Sequence, residues 1–462
     1  MSADHTPSNG PSSEFLESRR RFLATTAGAA AAAAVAGSVG KAMARPAPFP
    51  APRDEEPVGK AKPRIAVKDG EIIRVGVIGI GGNPGACAMG MGHCESLVNL
   101  NKKGREKVQV VAICDLNKHY LEDGKSKIEQ AQPGVKVDTY TKSAELLARG
   151  DIHGVVVATP EHWHSANGIE AILAGKDLYL EKPMCLNLAM AMALHRVAAA
   201  NPDVIAQVGS QNTRQPKYMA AKEMIASGLI GTPTFSQTSY CRNSKDGEWH
   251  YGFDKNWKPG VDIDWETWCK PLGSMPWDPQ LYSQWRRYRK TSTGIIGDLL
   301  VHQMTPLMMA LDQGWPVRVM ATGGHLVDKD MENHDNINIG VQFETGHQMT
   351  VLGSTCNESG LEVMIRGHKG NIHLGGRNCE MTPERVFAGE DVEPKTVKSA
   401  DTGDDQDAHR VGWLQAMRTR EKPPSSIDLH LRVMVIVDLA TRSMWEGSAF
   451  TFDPKTMTES KA

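Results

Sequence analysis

The sequence predicts an α/β protein that has a doubly wound parallel sheet first and a second α/β domain with a large, mostly antiparallel open sheet. In the first half, apolar β-branched runs such as residues 155–157 alternate with segments of helical periodicity, which is typical of parallel strands buried on both faces. In the second half, strand-like blocks such as 336–343 and 349–354 follow one another directly, as in antiparallel sheets. We therefore predict a doubly wound α/β domain over residues 72–210 and a second domain over residues 211–455.

Composition excludes several functional classes. The 462 residues carry 52 basic and 54 acidic side chains, a net charge of −2, so no basic field attracts nucleic acid, and we expect no nucleic-acid partner. The eight cysteines include no C-x-x-C pair. The pair His162 and His164 has no further ligand at metal-binding spacing, so we predict no metal site.

The N-terminal 44 residues resemble an export signal. Residues 18–23, Ser-Arg-Arg-Arg-Phe-Leu, match the twin-arginine pattern, an alanine-rich run follows, and residues 42–44 offer an A-x-A cleavage site. A membrane anchor is the alternative, but alanine partitions poorly into hydrocarbon. We predict a cleaved signal over 1–44, a proline-rich linker over 45–71, the twin-arginine machinery as a partner, and a periplasmic or otherwise exported protein.

Export of a folded protein constrains the cofactor. The twin-arginine route is understood to carry folded proteins, and outside the inner membrane there is no nicotinamide pool to exchange with. We therefore expect any nicotinamide cofactor to be bound tightly and to be reset by a second substrate.

A glycine-rich turn follows the first predicted strand, residues 73–78. Gly79, Gly81 and Gly82 begin a dinucleotide fingerprint, in which small residues let the backbone approach a pyrophosphate. Proline at position 84 replaces the third glycine of G-x-G-x-x-G. We predict pyrophosphate contacts from these three glycines and none from the later ones, and we predict that the next helix begins at Cys94.

The second predicted strand, residues 108–114, ends at Asp115. A carboxylate at this point accepts hydrogen bonds from the adenosine ribose and repels a 2′-phosphate. It favours NAD, although Lys118 nearby leaves NADP possible. In the alternative interpretation, Asp115 caps the following helix.

Residues 154–183 form the central stretch of the chain. A buried strand ends at Thr159-Pro160, His162-Trp163-His164 opens a helix, and a second strand ends at Glu181-Lys182-Pro183. The carboxyl ends of parallel strands meet at one crevice, where ligands bind. Gln211 and Arg214 follow the next strand, so we predict that they line the same crevice.

This arrangement resembles the glucose–fructose oxidoreductase/inositol dehydrogenase family, called Gfo/Idh/MocA. The resemblance implies that Lys182 lies beside the nicotinamide and the substrate hydroxyl. It also implies a cofactor contact for the other named residues of the crevice: Thr159, Pro160, His162, Trp163, Glu181 and Gln211.

A second segment resembles the same family. Trp285 and Arg286 precede a glycine-rich turn and then Asp298-x-x-x-His302. Residues four apart share one helical face, so we expect Asp298 and His302 to point the same way. Histidine titrates near neutral pH and can take up a hydroxyl proton.

We predict three catalytic residues: His302 as the base, Lys182 as the stabiliser of the developing oxyanion, and Asp298 as the residue that orients substrate and sustains the charge of His302. The alternative is a structural histidine that has Asp298 as its partner. Predicted substrate contacts are Arg214, Trp285, Arg286 and His334.

The leading functional hypothesis is an oxidoreductase that moves a hydride between a sugar, glycoside or polyol hydroxyl and bound NAD(P). The first alternative is a redox-neutral, NAD-dependent glycoside hydrolase on the same fold, and the second is a non-catalytic binding protein. The resemblance further implies a homo-oligomer, either a dimer or a tetramer. The tryptophans at 249, 257, 265, 268, 277 and 285 favour either stacking on a sugar or a local core.

Overall fold

The computed structural model describes residues 58–82, 88–389, 392–401 and 403–462. The predicted export signal and residues 45–57 of the predicted linker lie outside these ranges. Among the described residues, no helix combines the length and the apolar character needed to cross a membrane.

The first sheet has six parallel strands in the order β3-β2-β1-β4-β5-β6, which confirms the predicted doubly wound parallel sheet. Its strands are β1 (Ile73–Ile78), β2 (Val108–Cys114), β3 (Asp138–Tyr140), β4 (Gly154–Val157), β5 (Asp177–Leu180) and β6 (Ala206–Val208). Its helices are α1 (Met89–Lys102), α2 (Lys118–Ala131), α3 (Ser143–Leu147), α4 (Glu161–Leu173) and α5 (Leu188–Ala200).

The strand register aligns the carboxyl ends of the central strands. Ile78 pairs with Cys114 on one side and with Val157 on the other, and Val157 pairs with Leu180. The residues that follow these positions, among them Gly79, Asp115 and Glu181, therefore meet at one edge of the sheet.

The second sheet has ten strands in the order β14-β13-β12-β11-β7-β10-β9-β8-β15-β16. Only the β7–β10 pair among its neighbours is parallel, so the predicted, mostly antiparallel sheet is confirmed. Its strands are β7 (Pro233–Cys241), β8 (Pro316–Gly324), β9 (Asn336–Phe343), β10 (Gln348–Ser354), β11 (Met364–Gly367), β12 (Gly370–His373), β13 (Cys379–Pro383), β14 (Lys395–Val397), β15 (Phe450–Asp453) and β16 (Thr458–Lys461).

The described residues of this half form six further α-helices: α6 (Pro216–Ala226), α7 (Trp265–Cys269), α8 (Pro279–Ser283), α9 (Val301–Leu311), α10 (Asp405–Thr419) and α11 (Ile427–Glu446). Helix α11 packs on the buried face of the second sheet. The pairing of β16 with β15 carries the sheet to Lys461, past residue 455, the predicted end of the domain.

Helix α10 returns from the second half of the chain to pack against the first sheet. Trp413 is fully buried, and its ring lies 5.7 Å from that of Tyr179 on β5 in an edge-on contact. A β-carbon at Gly154 would lie 3.0 Å from the same tryptophan. The core of the nucleotide-binding domain therefore includes residues beyond 400.

Candidate active site

A cavity of about 420 Å³ opens at the carboxyl edge of the parallel sheet. The predicted site residues that line it are Gly79, Gly81, Asp115, Thr159, Pro160, Trp163, Glu181, Lys182, Trp285 and Arg286. The other predicted site residues lie outside its wall: Gly82, His162, Gln211, Arg214, Asp298, His302 and His334.

The turn after β1 needs glycine for two reasons. Gly79 has a φ of 81°, and a β-carbon there would lie 2.7 Å from the backbone nitrogen of Thr159. Gly81 has a φ of 59°, and its N–H donates a 3.0 Å hydrogen bond to Asp115. Positive φ and close backbone approach both exclude larger residues.

A third glycine, Gly90, carries a role that the sequence analysis did not assign. A β-carbon at Gly90 would lie 2.1 Å from the carbonyl oxygen of Gly79, so this glycine allows α1 to pack closely on the end of β1. That is the role of the last glycine in a dinucleotide fingerprint. Because the fingerprint spacing places that glycine at position 84, where proline stands, the spacing gave no indication of Gly90. Helix α1 accordingly begins at Met89 and not at Cys94.

Asp115 is oriented by the turn around it. Its carboxylate accepts the N–H groups of Gly81 and Asn117, at 3.0 and 2.9 Å. Burial outweighs these hydrogen bonds and raises its pKa to about 6. The cap of α2 is Asn117, whose side chain accepts N–H groups from His119 and Tyr120. The helix-cap interpretation of Asp115 is therefore wrong.

The two histidines at the start of α4 have different surroundings. His162 packs edge-on against Trp268 at 4.6 Å and lies 3.1 Å from the Trp268 carbonyl oxygen. Burial lowers its pKa to about 3. His164, by contrast, lines the cavity and lies within 2.7 Å of the carbonyl oxygens of Thr159 and Pro183. His164 thus contacts the residues that follow two adjacent strands, β4 and β5. The sequence analysis did not assign this role.

Lys182 and Asp298 form the centre of the site. The Lys182 ammonium donates to the Asp298 carboxylate at 3.0 Å and to its backbone carbonyl at 2.8 Å. Arg286 donates its Nε–H to the same carboxylate oxygen at 2.9 Å. Burial opposes ionisation, but the charges of Lys182 and Arg286 and their hydrogen bonds outweigh it and hold the Asp298 pKa well below its usual range. Asp298 is therefore a carboxylate held by two cations.

The helix that carries Asp298 departs from the predicted geometry. Residues Ile296–Leu300 form a π-helical turn, and α9 follows from Val301. A π-turn has more residues per turn than an α-helix, so the spacing from Asp298 to His302 is not the regular α-helical one. The carboxylate of Asp298 is directed to Lys182 and Arg286, and His302 has no hydrogen bond to it. The structural alternative, in which Asp298 is the hydrogen-bond partner of His302, is therefore not supported, although the charge of Asp298 still acts on the imidazole.

His302 is a partly exposed, neutral imidazole. Burial, reinforced by the charge of Lys182, lowers its pKa to about 3. Its Nδ1 has no hydrogen-bond partner among the described residues, and its backbone carbonyl accepts an amide N–H of Asn212 at 3.0 Å. His302 is therefore a neutral ring close enough to Lys182 for the lysine charge to act on it.

Glu181 is held by a buried chain that sequence analysis missed. Its carboxylate lies 2.8 Å from Nε2 of His93, and Arg410 donates its Nε–H to Nδ1 of the same ring at 2.9 Å. Burial opposes ionisation of Glu181, but the hydrogen bond from His93 and the charge of Lys182 outweigh it and lower its pKa to about 2. His93 and Arg410 are more than 300 residues apart in sequence, so no local pattern could pair them.

The predicted contacts outside the cavity wall have other neighbours. The guanidinium of Arg214 packs against α10, where a β-carbon at Gly412 would lie 1.9 Å from its Nη2. The ring of His334 lies 4.6 Å from that of His325 beside the second sheet. Gln211 begins a short 3-10 helix after β6.

The tryptophan-rich segment, residues 249–288, forms the outer wall of the cavity. Within it, Trp265 stacks on Trp268 at 4.7 Å, and both belong to a local hydrophobic cluster with Ile263 and Tyr282. Trp265 is local core, whereas Trp268 belongs to the same cluster and also lines the cavity. Trp285 lines the cavity too, with Arg286 stacked 4.0 Å from its ring.

The segment is attached to the nucleotide-binding domain on both sides of the cavity. At the exit of β2, Asp264 donates its N–H to the Leu116 carbonyl and Lys118 donates its N–H to the Asp262 carbonyl, both at 3.0 Å. At the start of α4, Trp163 donates its ring N–H to the Trp268 carbonyl at 3.0 Å. The cavity is thus enclosed between the sheet edge and this segment.

Two sequence families match this chain. Residues 73–210 match the pattern described as "Oxidoreductase family, NAD-binding Rossmann fold", and residues 273–373 match the pattern described as "GFO/IDH/MocA C-terminal domain". Together the two matches cover just over half of the chain. The chain belongs to the Gfo/Idh/MocA family. Its N-terminal domain is the NAD-binding Rossmann domain of that family.

The chain matches curated relatives in this family over part of their length. It is 28% identical over 225 residues to a glycosyl hydrolase family 109 protein of Shewanella baltica, over 48% of this chain and 45% of the relative. It is 28% identical over 161 residues to inositol 2-dehydrogenase 1 of Saccharopolyspora erythraea, over 35% and 43%. The chain thus spans less than half the length of these relatives.

Solved structures share the fold. A levoglucosan dehydrogenase in complex with NADH superimposes with a TM-score of 0.61 at 17% identity, over 82% of this chain and 98% of that one. A myo-inositol 2-dehydrogenase from Lactobacillus plantarum superimposes with a TM-score of 0.58 at 18% identity, over 83% and 100%. At these identities the likeness shows the Gfo/Idh/MocA fold.

The cavity has the groups that a dinucleotide needs in this family. Gly79 and Gly81 leave backbone room at the end of β1, and Asp115 stands where a ribose is bound. The buried hydroxyl of Thr159 lines the cavity and has no hydrogen-bond partner among the described residues. These residues would hold NAD, whose pyrophosphate fits the glycine turn and whose ribose fits Asp115.

Proposed function

We propose that this protein is an oxidoreductase that transfers a hydride between a hydroxyl of a sugar, glycoside or polyol and a bound NAD. The observation that carries the proposal is the pair of Lys182, in the cavity wall, and Asp298, which binds it; the neutral imidazole of His302 lies four residues beyond Asp298 in the sequence. Alcohol oxidation requires a hydrogen-bond donor to the reacting oxygen and an acceptor for its proton. Lys182 is placed to be the donor and His302 the acceptor.

The residues of the chain act on the substrate hydroxyl. His302 takes up the hydroxyl proton on a ring nitrogen, which is free because burial and the charge of Lys182 keep the imidazole neutral. Lys182 donates an N–H to the same oxygen and stabilises the negative charge that develops there. Asp298 and Arg286 keep the ammonium of Lys182 oriented. When bound, NAD supplies the hydride acceptor.

The sugar or polyol class is supported by the relatives, which include inositol dehydrogenases and, among solved structures, a levoglucosan dehydrogenase. Assay of the purified full chain against a panel of polyols and sugars, followed by nicotinamide absorbance at 340 nm or by product chromatography, tests it. Oxidation of none of them, with NAD present, would contradict the proposal.

A second function, redox-neutral glycoside hydrolysis, is favoured by the similarity to a glycosyl hydrolase family 109 protein. It would use the same residues for oxidation, elimination, water addition and reduction. Release of the aglycone from aryl glycosides without an added electron acceptor supports hydrolysis, whereas a requirement for an acceptor supports net oxidation. Binding of glycosides without turnover would leave the binding-protein alternative.

We further propose that NAD is retained through catalysis. The support is that the tryptophan-rich segment covers the outer side of the cavity and is attached at the exit of β2 and at the start of α4. Dialysed protein, denatured and analysed by mass spectrometry, is expected to release about one NAD or NADP per chain. Nucleotide-free protein that regains activity with added NAD would contradict retention and leave the oxidoreductase proposal intact.

Export by the twin-arginine route and assembly as a dimer or tetramer are also part of the proposal. The support for export is the sequence pattern at residues 18–23. Replacing Arg19 and Arg20 by lysine is expected to retain the protein in the cytoplasm, as measured by cell fractionation. Light scattering after gel filtration measures the assembly.

A further inference from the structure

Glu161 is a buried carboxylate that the proposed mechanism does not use. It follows Thr159 and Pro160 of the cavity wall, begins α4, and is fully buried. An unpaired carboxylate at such a position would be costly, so its partners indicate what it does.

All of its hydrogen bonds go to one loop in the second half of the chain. Its two oxygens accept the Ser292 hydroxyl at 2.6 Å, the Thr293 N–H at 2.9 Å and the Thr293 hydroxyl at 3.0 Å. Both partner residues are buried as well. Glu161 therefore joins the nucleotide-binding domain to residues 291–294 without an opposite charge.

This loop leads directly into the turn that carries Asp298. Gly294 donates its N–H to the Ser292 hydroxyl at 3.0 Å, and Asp298 donates its own N–H to the Gly294 carbonyl at 2.9 Å. A β-carbon at Gly297 would lie 1.9 Å from the Thr293 hydroxyl oxygen. The π-turn is thus packed on the same hydroxyl that Glu161 holds.

The opposite side of the loop is fixed by the second sheet domain. The side-chain amide of Asn333 donates to the Arg286 carbonyl at 2.9 Å and to the Ser292 carbonyl at 3.3 Å. Arg286 is one of the two cations on Asp298. The loop is therefore held on both sides. Asn333 binds it from the second half of the chain, and Glu161 binds it from the nucleotide-binding domain.

We propose that Glu161 is a positioning residue, whose carboxylate fixes residues 291–294 to the cofactor wall and thereby sets where Asp298 and Lys182 stand relative to the nicotinamide site. The inference rests on the proposed function, because it assigns the purpose of this contact to the same reaction. Burial raises the pKa of Glu161 to about 7, and the charge of Asp298 adds to this effect. The two carboxylates are therefore near enough to influence one another.

Glu161→Gln tests the proposal at constant side-chain volume. The glutamine oxygen can still accept both Thr293 hydrogen bonds, but its NH₂ takes the place of the oxygen that accepts the Ser292 hydroxyl proton, so that hydrogen bond is reversed or lost. A displacement of the reacting groups by about 1 Å costs up to about 100-fold in rate. We expect kcat to fall by about 10- to 100-fold with KM changed much less, with bound NAD unchanged, and with faster amide exchange across residues 291–302.

Asp177→Asn is the matched control. Asp177 is also a buried carboxylate, but it lies at the amino end of β5, where it accepts the Ile205 N–H at 2.8 Å and two hydrogen bonds from Arg420 at 2.7 and 2.9 Å. This variant is expected to lower Tm without changing kcat or the amide exchange of 291–302. If Glu161→Gln lowers Tm in the same way and leaves kcat unchanged, the positioning role is rejected.

If Glu161→Gln fails to fold, variants of the two residues that donate to Glu161, Thr293 and Ser292, test the proposal instead. Thr293→Val removes the hydroxyl but keeps the N–H, and is expected to lower kcat, whereas Thr293→Ser is expected to restore it. Full activity of Thr293→Val and of Ser292→Ala together would also overturn the proposal. If the wild-type protein turns over no polyol or glycoside, the proposed function fails, while the amide-exchange comparison still reports on the contact itself.

Discussion

Glu181 and His93 form a 2.8 Å hydrogen bond inside the protein, and Arg410 fixes its polarity. Because the guanidinium is always protonated and donates to Nδ1 of His93, the proton of the neutral imidazole is on Nε2 and points to Glu181. Glu181, the residue before Lys182, is therefore kept ionised by a helix, α10, that lies between β14 and β15 in the sequence.

His93→Leu is expected to destabilise the protein by about 3 kcal/mol, because it leaves a buried carboxylate without its donor. His93→Gln can both donate to Glu181 and accept from Arg410, so its loss should be smaller. Chemical denaturation measures both. His195→Leu is the control, since His195 pairs with the exposed Asp428, and it should change the free energy of unfolding by less than about 0.5 kcal/mol.

Lys182→Met is expected to lower kcat by about 100-fold or more, because it removes the donor to the reacting oxygen. Asp298→Asn should also lower kcat, since an amide no longer orients two cations.

His302→Asn removes the base and should lower kcat by about 100- to 10,000-fold. Each variant is assayed with substrate at saturation while bound nucleotide is quantified. Unchanged turnover in any of the three would remove that residue from its role.

Gly90→Ala is expected to destabilise the protein strongly, because the new β-carbon would lie 2.1 Å from the carbonyl of Gly79. It should also weaken nucleotide binding by displacing the glycine turn. Gly92 lies two residues further along α1 and has no atom within 4 Å of a β-carbon. Gly92→Ala should therefore be neutral or stabilising by up to about 1 kcal/mol. Thermal denaturation of the pair is decisive, and equal Tm values would refute the packing role.

Stability is expected to fall as the pH is lowered below 6.5. Five buried or partly buried histidines have pKa values lowered to about 3 or 4, namely His162, His302, His334, His409 and His430. Below pH 6.5 the unfolded state binds protons that the folded state does not, so stability present above pH 6.5 is lost as the pH falls.

Three carboxyl groups act in the opposite direction. The pKa values of Asp115, Glu161 and Asp438 are raised to about 6 or 7 by burial, so the stability that they add is present at low pH and is lost as the pH rises towards 7. The effect of the five histidines is larger than that of the three carboxyl groups. We therefore expect the free energy of unfolding to fall by about 2 kcal/mol between pH 6 and pH 5. Urea titrations across that range measure it, and an increase in stability on acidification would contradict the assignment.

Trp163→Phe is expected to accelerate nucleotide loss. The change removes the 3.0 Å hydrogen bond that ties the tryptophan-rich segment to α4, while the ring of phenylalanine still covers part of the cavity wall. Bound NAD after extended dialysis is the measurement. Trp315→Phe, on the second sheet beside Phe452, is the control and should retain nucleotide like the wild type.

Local patterns predicted the parallel sheet well because its strands are short apolar runs that end in glycine, proline or acidic residues. The bounds of β1 and β2 match the prediction residue for residue, and ten of the predicted site residues line one cavity. The same patterns could not reveal Arg410 or the loop at 292–293, because their partners at His93 and Glu161 are more than 100 residues away. The π-turn at Asp298 could not be predicted from the sequence either, because a periodicity argument assumes regular α-helical spacing.

Helix α10 completes the hydrophobic face of the first sheet with Trp413. A fragment that stops at residue 210 would expose the aromatic surface of Tyr179 to water and would lack the guanidinium that orders His93. The nucleotide-binding half is therefore not an autonomous folding unit, and both halves should unfold in a single cooperative transition. A fusion of this nucleotide-binding domain to a different second domain would therefore have to include residues 405–419.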